Sequence, residues 1–526
     1  MIGGQPVGRP GGLTLALGIA VLSAGPPVRL SAQDTTAGKA VYVKWCAGCH
    51  GDAGAGDGPA ARYMLPRPRD FTGAVYKIRS TASGQLPMDA DLLRAVDQGL
   101  PGTAMPAWAK RLSDRERRDV VAYIKTFSAF FTDTSQHPKA LVFSRPPGGG
   151  PEALKVGRQF FDSIGCRKCH GLQGRGNGTS APTLHDDAGN PIFAADLTQN
   201  WRFRGGGEVE DIYHRLRTGL DGTPMPSFSD QIDQKFLTDE QLWHVAQYVR
   251  SLSPERVPEP EDVIHAARVA ALPTAPGDPA WARAPRSWIP LSGQVIHKVR
   301  WFTPAVSGVW VQALHDGQAL ALRVSWDDRS RSPDSTWLPF TTKVLSAVAS
   351  DDSTPSVAEL WPDRLIVQFP AVMPTGLERP YFLMGSATQP VYQWRWSSTG
   401  PAGTVTVGLA RGIERFDSLP SSAAGTSVRS QAVYDEGQWQ VVFTRSLATA
   451  DSSAQLQFPT ARPIPVALFA ADGSNGETGS RLGVSAWRFL ALDVPVSSRV
   501  FVFPLVAAAL TFGVGLSLVR RAQRST

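Results

Sequence analysis

All four cysteines of the chain lie in two short strings of the form Cys-x-x-Cys-His. Two thiols at this spacing can bond to the two vinyl groups of one porphyrin, while the adjacent imidazole reaches the iron. A zinc cage would need further thiolates that the sequence lacks, and a thioredoxin-type pair does not need the adjacent histidine. We therefore predict two covalently attached haem c groups. Their attachment residues are Cys46, Cys49, Cys166 and Cys169, and their histidine ligands are His50 and His170.

An internal repeat indicates a second ligand for each iron. The segments from Gly99 to Trp108 and from Gly219 to Phe228 match each other 120 residues apart, which is also the spacing of the two cysteine strings. Methionine opposite histidine raises the reduction potential of haem iron. A lone methionine more often fills a gap in a core. However, Met105 and Met225 share an offset of 55 residues from the histidine of their string, so we predict that they are the sixth ligands.

The overall composition limits the class of protein. Of the 526 residues, 42% are hydrophobic and 19% are charged, which is typical of a folded chain with several domains. The net charge is +7, but five basic residues lie in the two end segments, namely Arg9, Arg29, Arg520, Arg521 and Arg524. The nearly balanced interior argues against a nucleic-acid-binding protein. No acid–base pair or nucleophile triad is evident, so we expect the irons to do the chemistry.

Helices are predicted on both sides of each motif pair. The segments from Thr36 to Trp45 and from Glu152 to Ile164 lead into the two cysteine strings. Closing helices begin at Ser113 and Thr238, where a Glu or Gln three residues later completes a capping-box pattern. A glycine and an aromatic residue lie four apart in each leading helix, which predicts a close crossing of two helix backbones.

With this order of elements, residues 34–132 and residues 150–253 each resemble a class I cytochrome c domain. The resemblance implies two all-α domains and single-electron transfer. It also implies the axial pairs His50/Met105 and His170/Met225, although His185 and His214 offer an alternative imidazole for the second iron.

Both ends of the chain predict contact with a membrane. Residues 1–32 place Arg9 before a short apolar stretch and end in Leu-Ser-Ala, the pattern of a secretory signal peptide. At the other end, the predicted transmembrane helix 499–519 includes 20 uncharged residues, enough to cross a ~30 Å hydrocarbon core. The arginines that follow stay cytoplasmic under the positive-inside rule. We predict a single-pass protein of the bacterial inner membrane, with its bulk in the periplasm. The alternatives are a retained N-terminal anchor and a buried C-terminal core helix.

The third module differs in composition. Proline, glutamate and alanine are frequent in residues 254–278, which we interpret as a linker. Residues 279–495 hold 11 of the 15 tryptophans and show short alternating runs, such as Val309 to Leu314 and Leu365 to Phe369. Turn pairs such as Asp316-Gly317 separate some of these runs. We predict an antiparallel β-sandwich.

Several motifs of this module resemble the haem b-binding gamma subunits of ethylbenzene dehydrogenase and dimethyl-sulfide dehydrogenase. They include Ala313 to Gly317, Ser325 to Asp328, Pro380 to Gly385, Val391 to Trp396, and Phe469 to Gly473. The resemblance implies a non-covalent haem b with Met384 as one ligand and a lysine shortly before Ser485, where this sequence has Arg481 and Leu482. Alternative second ligands are His297, Lys298, His315 and Lys343. A haem b domain and a haem-free recognition or docking domain therefore both remain open.

The sequence favours a membrane-anchored, periplasmic multihaem cytochrome that transfers single electrons between a redox enzyme complex and a respiratory carrier. Such a chain is an electron-transfer protein or a subunit of an oxidoreductase complex rather than a stand-alone enzyme. Two other classes remain open. The first is a haem enzyme that reduces a small molecule, which would need an exchangeable coordination position on the iron. The second is a binding protein in which the β-sandwich binds a glycan or a partner and exchanges electrons with the cytochrome domains. We expect periplasmic or membrane redox proteins as partners.

Overall fold

The computed structural model describes residues 34–133, 135–348, 359–376, 378–419, 428–450, 455–495 and 499–524. The predicted signal peptide, residues 1–32, lies outside these residues. In chain order, the described residues form a first helical domain, a second helical domain, a β domain and a C-terminal helix. This order confirms the predicted fold class of two all-α cytochrome-like domains, a β region and an apolar C-terminal helix.

The first helical domain is built around the crossing of its first and last helices. A β-carbon on Gly38 would lie 2.0 Å from the carbonyl oxygen of Asp119, so only glycine permits this approach. The rings of Tyr42 and Tyr123 meet beside the crossing, with centroids 5.4 Å apart. The capping box at Ser113 is confirmed. The helices are α1 (Thr35–Trp45), α2 (Ala47–His50), α3 (Asp89–Gln98) and α4 (Asp114–Lys125).

The second helical domain repeats this crossing. A β-carbon on Gly157 would lie 2.0 Å from the carbonyl oxygen of His244. The rings of Phe161 and Tyr248 lie beside it, with centroids 5.4 Å apart. The capping box at Thr238 is also confirmed. The helices are α5 (Pro151–Ser163), α6 (Arg167–His170), α7 (Val209–Thr218), α8 (Ser229–Asp233) and α9 (Asp239–Ser251).

The β domain contains fourteen strands among its described residues, and one α-helix, α10 (Leu338–Ala347). The strands are β1 (Val263–Arg268), β2 (Ser287–Pro290), β3 (Ser292–Gly293), β4 (Gly308–His315), β5 (Ala319–Asp327), β6 (Arg364–Pro370), β7 (Val391–Ser397), β8 (Thr406–Ala410), β9 (Phe416–Ser418), β10 (Arg429–Asp435), β11 (Gln438–Ser446), β12 (Ile464–Ala471), β13 (Gly483–Val484) and β14 (Arg488–Ala491).

These strands follow one hydrogen-bonded path, β10-β11-β5-β4-β1-β14-β12-β6-β7-β8-β9, with β2, β3 and β13 attached at its sides. Alternate side chains from both halves of the path share one core, which includes Trp326, Trp394 and Trp439. The two halves therefore pack face to face, as layers of a sandwich do. The sheet is mixed rather than purely antiparallel, because β1 runs parallel to both β4 and β14.

The position of β1 corrects the predicted linker. Residues 263–265 pair with β14 and residues 266–268 pair with β4, so one short strand passes from one layer to the other. The prolines that suggested a spacer end at Pro260 and resume at Pro273. The proline-free stretch between them can donate its backbone N–H groups to a sheet. Residues 254–278 are therefore not a continuous linker.

The chain ends its described part in helix α11 (Arg499–Arg524). Residues Val500–Arg524 have a mean hydropathy of 2.2 over their most apolar stretch, none of which is buried against the rest of the protein. Within the described parts of the chain, this is the one helix long and apolar enough to cross a membrane. The predicted span 499–519 lies inside it.

Candidate functional site

In the first helical domain, the cysteine string forms the turn that joins α1 to α2. Cys46 ends α1, while Cys49 and His50 lie in α2. Burial, reinforced by the neighbouring Cys49, raises the pKa of Cys46 to about 11. A reactive redox cysteine has the opposite shift, because it needs a stabilised thiolate. The Nδ1 atom of His50 lies 2.9 Å from the carbonyl oxygen of Arg69, which leaves Nε2 available to an iron.

The second cysteine string has the same arrangement. Burial raises the pKa of Cys166 to about 12. The Nδ1 atom of His170 lies 2.9 Å from the carbonyl oxygen of Ala195. Burial also lowers the pKa of His50 and His170, which favours the neutral imidazole that binds metal. A ring N–H donated to a backbone carbonyl fixes the tautomer and orientation of a ligating histidine.

The two methionine loops share their internal hydrogen bonds. In the first loop, the backbone N–H of Leu100 donates to the carbonyl of Met105 at 3.1 Å, and the N–H of Met105 donates to Thr103 Oγ1 at 3.1 Å. The corresponding distances in the second loop are 3.0 and 3.3 Å. Gly99 and Gly219 both have φ near 66°, and a β-carbon on either would lie 2.6 Å from backbone across the loop. The sequence repeat is therefore also a structural repeat.

Each methionine packs on the same apolar core as the first cysteine of its string. Cys46 and Met105 both border one cluster, and Cys166 and Met225 both border its counterpart. In each helical domain, the first cysteine of the string and a half-buried methionine thus border one apolar core, and the oriented imidazole belongs to the same string. These groups fit a haem c, which would supply a one-electron redox centre when bound. The predicted attachment residues and ligands fall into two separate sets, one in each helical domain.

The alternative imidazoles for the second iron make other contacts in the structure. The ring of His214 stacks on Phe143, with centroids 3.9 Å apart. The Nδ1 atom of His185 lies 3.0 Å from the carbonyl oxygen of Asp186. Met225 remains the predicted sixth ligand, because it borders the same core as Cys166.

The surroundings of Met384 do not fit a haem b. Its side chain is 2% exposed and lies in an apolar cluster, and its sulfur is 4.0 Å from Arg395 Nη2. Arg481, where the resemblance implied a lysine, is buried with its guanidinium 5.7 Å from the ring centre of Trp301. A cavity of about 290 Å³ opens beside Leu383, but its lining offers hydroxyl, amide and apolar groups rather than iron ligands. That lining is Ser292, Gly293, Gln294, Val295, Ile296, Phe382, Leu383, Val484, Ser485 and Ala486.

Three buried aspartates form a carboxyl cluster where strand ends of the two layers meet. Asp328 follows β5, Asp363 precedes β6 and Asp472 follows β12, and their carboxylate oxygens lie within 4.8 Å of one another. Burial and the neighbouring Asp472 raise the pKa of Asp363 to about 8. The indole N–H of Trp439 donates to Asp363 at 3.0 Å. Asp328 and Asp472 belong to the sequence motifs quoted above, so those motifs serve the packing of the two layers.

Comparison with known proteins supports this division. The family model described as cytochrome c oxidase, cbb3-type, subunit III matches residues 33–124, and the cytochrome c model matches residues 154–253. The ethylbenzene dehydrogenase model matches residues 278–410.

Individual relatives resemble parts of the chain. A candidate respiratory nitrate reductase heme subunit of Haloferax mediterranei is 23% identical over 41% of this chain and 67% of its own length. The CcoP subunit of the cbb3-type cytochrome c oxidase of Rhodobacter capsulatus is 29% identical to this chain. The matched region covers 41% of this chain and 61% of that subunit. A chain in the reducing HAO-like protein complex of Kuenenia stuttgartiensis is 41% identical, with coverage of 42% of this chain and 97% of that chain and a TM-score of 0.40.

The family matches fall on the two helical domains and on the β domain, in the order in which the structure arranges them. This chain therefore joins two cytochrome c domains to a domain of the ethylbenzene dehydrogenase type.

Proposed function

We propose that the chain is a membrane-anchored, periplasmic cytochrome that carries two covalent haem c groups and transfers single electrons between a redox enzyme complex and a respiratory carrier. One observation carries the proposal. In each helical domain, the first cysteine of a Cys-x-x-Cys-His string and a methionine border the same core, and the histidine Nδ1 lies 2.9 Å from a backbone carbonyl oxygen.

The side chains act by holding and burying the redox centre. The cysteines would attach the porphyrin, and the carbonyls of Arg69 and Ala195 orient the histidines. The ring of Phe71 stacks on His50 with centroids 4.5 Å apart, which limits rotation of the imidazole. Met105 and Met225 would each supply a thioether ligand, which would raise the reduction potential of the iron and leave no open coordination position for a small molecule. This arrangement suits an electron carrier better than a haem enzyme.

Membrane attachment is the second element of the proposal. Helix α11 is exposed and apolar, and Arg520 and Arg521 near its end favour a cytoplasmic C-terminus under the positive-inside rule. The haem domains would then lie in the periplasm, where tethering raises their effective concentration near membrane partners. Relatives described as subunits of a respiratory nitrate reductase and of a cbb3-type cytochrome c oxidase are consistent with partners in respiratory complexes.

For the β domain we favour the haem-free alternative, as a docking domain for such a partner. It is joined to the second helical domain by polar contacts. Arg175 Nε lies 2.9 Å from Asp327 Oδ1, and Arg202 Nη1 lies 2.6 Å from Ser307 Oγ.

If the β domain binds no haem, pyridine haemochrome quantitation of the full chain should give c-type haem without b-type haem. One b-type haem per chain would refute the haem-free assignment.

The carrier function is tested by ligand binding to the reduced protein. If both irons carry methionine, carbon monoxide should bind poorly at neutral pH, and a potentiometric titration should resolve two one-electron steps. Ready binding of carbon monoxide at both c-type haems would instead indicate a small-molecule reductase. Binding of a glycan by the full chain would favour the recognition alternative for the β domain.

A further inference from the structure

The two methionine loops differ at one position that matters for contact between domains. The repeat aligns Pro101 of the first loop with Asp221 of the second loop. Pro101 is exposed, whereas the side chain of Asp221 is only 16% exposed. Because the internal hydrogen bonds of the two loops match, this difference is not explained by the fold of the loop itself.

Asp221 instead binds a segment of the first helical domain. Its Oδ1 atom accepts from Arg79 Nη2 and from Ser83 Oγ, each at 2.7 Å. Its Oδ2 atom accepts from the backbone N–H of Gly84 at 2.8 Å. Three donors from one domain thus converge on one carboxylate in the methionine loop of the other domain.

Arg79 is the centre of this contact, and its side chain is fully buried. The same Nη2 atom also donates to the carbonyl oxygen of Thr218 at 2.6 Å, at the end of α7 where the second methionine loop begins. The rest of the guanidinium is held within its own domain, by the carbonyls of Tyr76 and Ala82 at 3.1 Å. Arg79 therefore ties the first part of the Met225 loop to a fixed point in the neighbouring domain.

The contact is reinforced from the other side. Arg215 of α7 donates to the carbonyl oxygen of Arg79 at 2.6 Å and to that of Lys77 at 3.3 Å. Each domain thus supplies an arginine that binds backbone of the other domain. Charge-assisted hydrogen bonds in a buried setting are the stronger class of such bonds.

We propose that Arg79 is a positioning residue for the second haem: through Asp221 and Thr218, the first helical domain holds in place the loop that carries Met225, which would supply a ligand to the iron. This inference rests on the proposed function, because it needs Met225 as the sixth ligand. Opening of the loop would replace the thioether by water or by an added base. The corresponding position of the first loop is Pro101, which has no carboxylate to make the contacts of Asp221.

The experiment is an imidazole titration of the ferric full-length protein, followed by the far-red absorption band of methionine-ligated haem. Asp221→Asn removes the charge and keeps the shape, and Arg79→Lys keeps the charge but not the forked geometry. Asp211→Asn is the matched control. It breaks the Arg94–Asp211 ion pair at 2.7 Å, which joins the same two domains without contacting a methionine loop. Met105→Ala and Met225→Ala assign the two haem signals.

We expect Asp221→Asn and Arg79→Lys to raise the imidazole affinity of the second haem by about tenfold, since a buried charge-assisted bond is lost. The first haem and the Asp211→Asn control should behave as the unmodified protein does. Unchanged affinity in both variants, or an equal change in the control, would overturn the positioning role. If Met225→Ala itself leaves the second haem's band intact, the ligand assignment fails instead, so the two failures are distinguishable.

Discussion

The helix crossing in the second helical domain predicts that Gly157→Ala destabilises this domain, by an amount that can be estimated from the distances at the crossing. In Gly157→Ala, the new β-carbon would lie 2.0 Å from the carbonyl oxygen of His244, 2.6 Å from its carbon and 2.8 Å from Tyr248 Cβ. The β-carbon and the carbonyl oxygen of His244 would have to move apart by about 1.4 Å to reach ordinary van der Waals contact at 3.4 Å, so helices α5 and α9 would have to separate. The neighbouring atoms are mostly backbone, so a side-chain rotation cannot relieve the clash.

The expected cost follows from two opposing effects. Overpacking a core costs about 1–3 kcal/mol, and here the upper part of that range applies because α9 must move as a unit. Replacing glycine by alanine in a helix recovers about 1 kcal/mol. The net loss of about 2 kcal/mol should lower the melting temperature of a domain of this size by about 8–16 °C.

Thermal unfolding of the haem-loaded full chain provides the assay. Gly157→Ala should lower the transition of the second helical domain, and Gly38→Ala should do the same for the first. Gly149→Ala is the matched control, because its β-carbon would meet only Gln247 Nε2, at 3.8 Å. Equal stability of Gly157→Ala and Gly149→Ala would refute the argument that a close backbone crossing requires glycine.

Three further predictions address the remaining features. The pKa of Asp363 is raised to about 8 in the folded protein, so its protonated form stabilises the fold below the unfolded pKa, and this stabilisation is lost as pH rises towards 8. The melting temperature of the β domain should therefore fall as pH rises over that interval. Asp363→Asn should make the melting temperature less dependent on pH. Met105→Ala should keep its covalent haem but lower the potential of that centre in a potentiometric titration, and two unchanged potentials would show that the ligand assignment is wrong. Thr238→Ala should destabilise α9 by about 1 kcal/mol in denaturant unfolding, because Thr238 Oγ1 accepts from the N–H of Gln241, whereas no loss would mean that the capping box is dispensable.

Local signals explain why the helical domains could be predicted. The capping boxes at Ser113 and Thr238 depend on residues three apart, and the crossings at Gly38 and Gly157 follow from small residues at helical spacing. The fixed offset between each string and its methionine came from the internal repeat. Such patterns lie within one module, so the sequence alone contains them.

The histidine partners carried no such signal. Every residue has a backbone carbonyl, and the two acceptors follow their histidines by different distances, 19 residues for Arg69 and 25 for Ala195. The identity of an acceptor therefore depends on how the intervening loop folds. The same limit applies to β1, whose partners lie in β4 and β14, one of them more than 200 residues away along the chain.

Contacts between domains were also beyond the reach of sequence patterns. Asp221 aligns with Pro101 in the internal repeat, so the sequence shows that the two loops differ at this position. The sequence does not show that Arg79 of the other domain is the partner of Asp221. Asp363 had no motif at all, although it completes the carboxyl cluster with Asp328 and Asp472. Long-range burial, rather than local spacing, gives these residues their roles.

The central claim is that the two cysteine strings carry haem, and peptide mass spectrometry of mature protein made with the c-type maturation machinery tests it most directly. We expect one tetrapyrrole on the peptide that contains Cys46 and Cys49, and one on the peptide that contains Cys166 and Cys169. Free thiols in either peptide would contradict it.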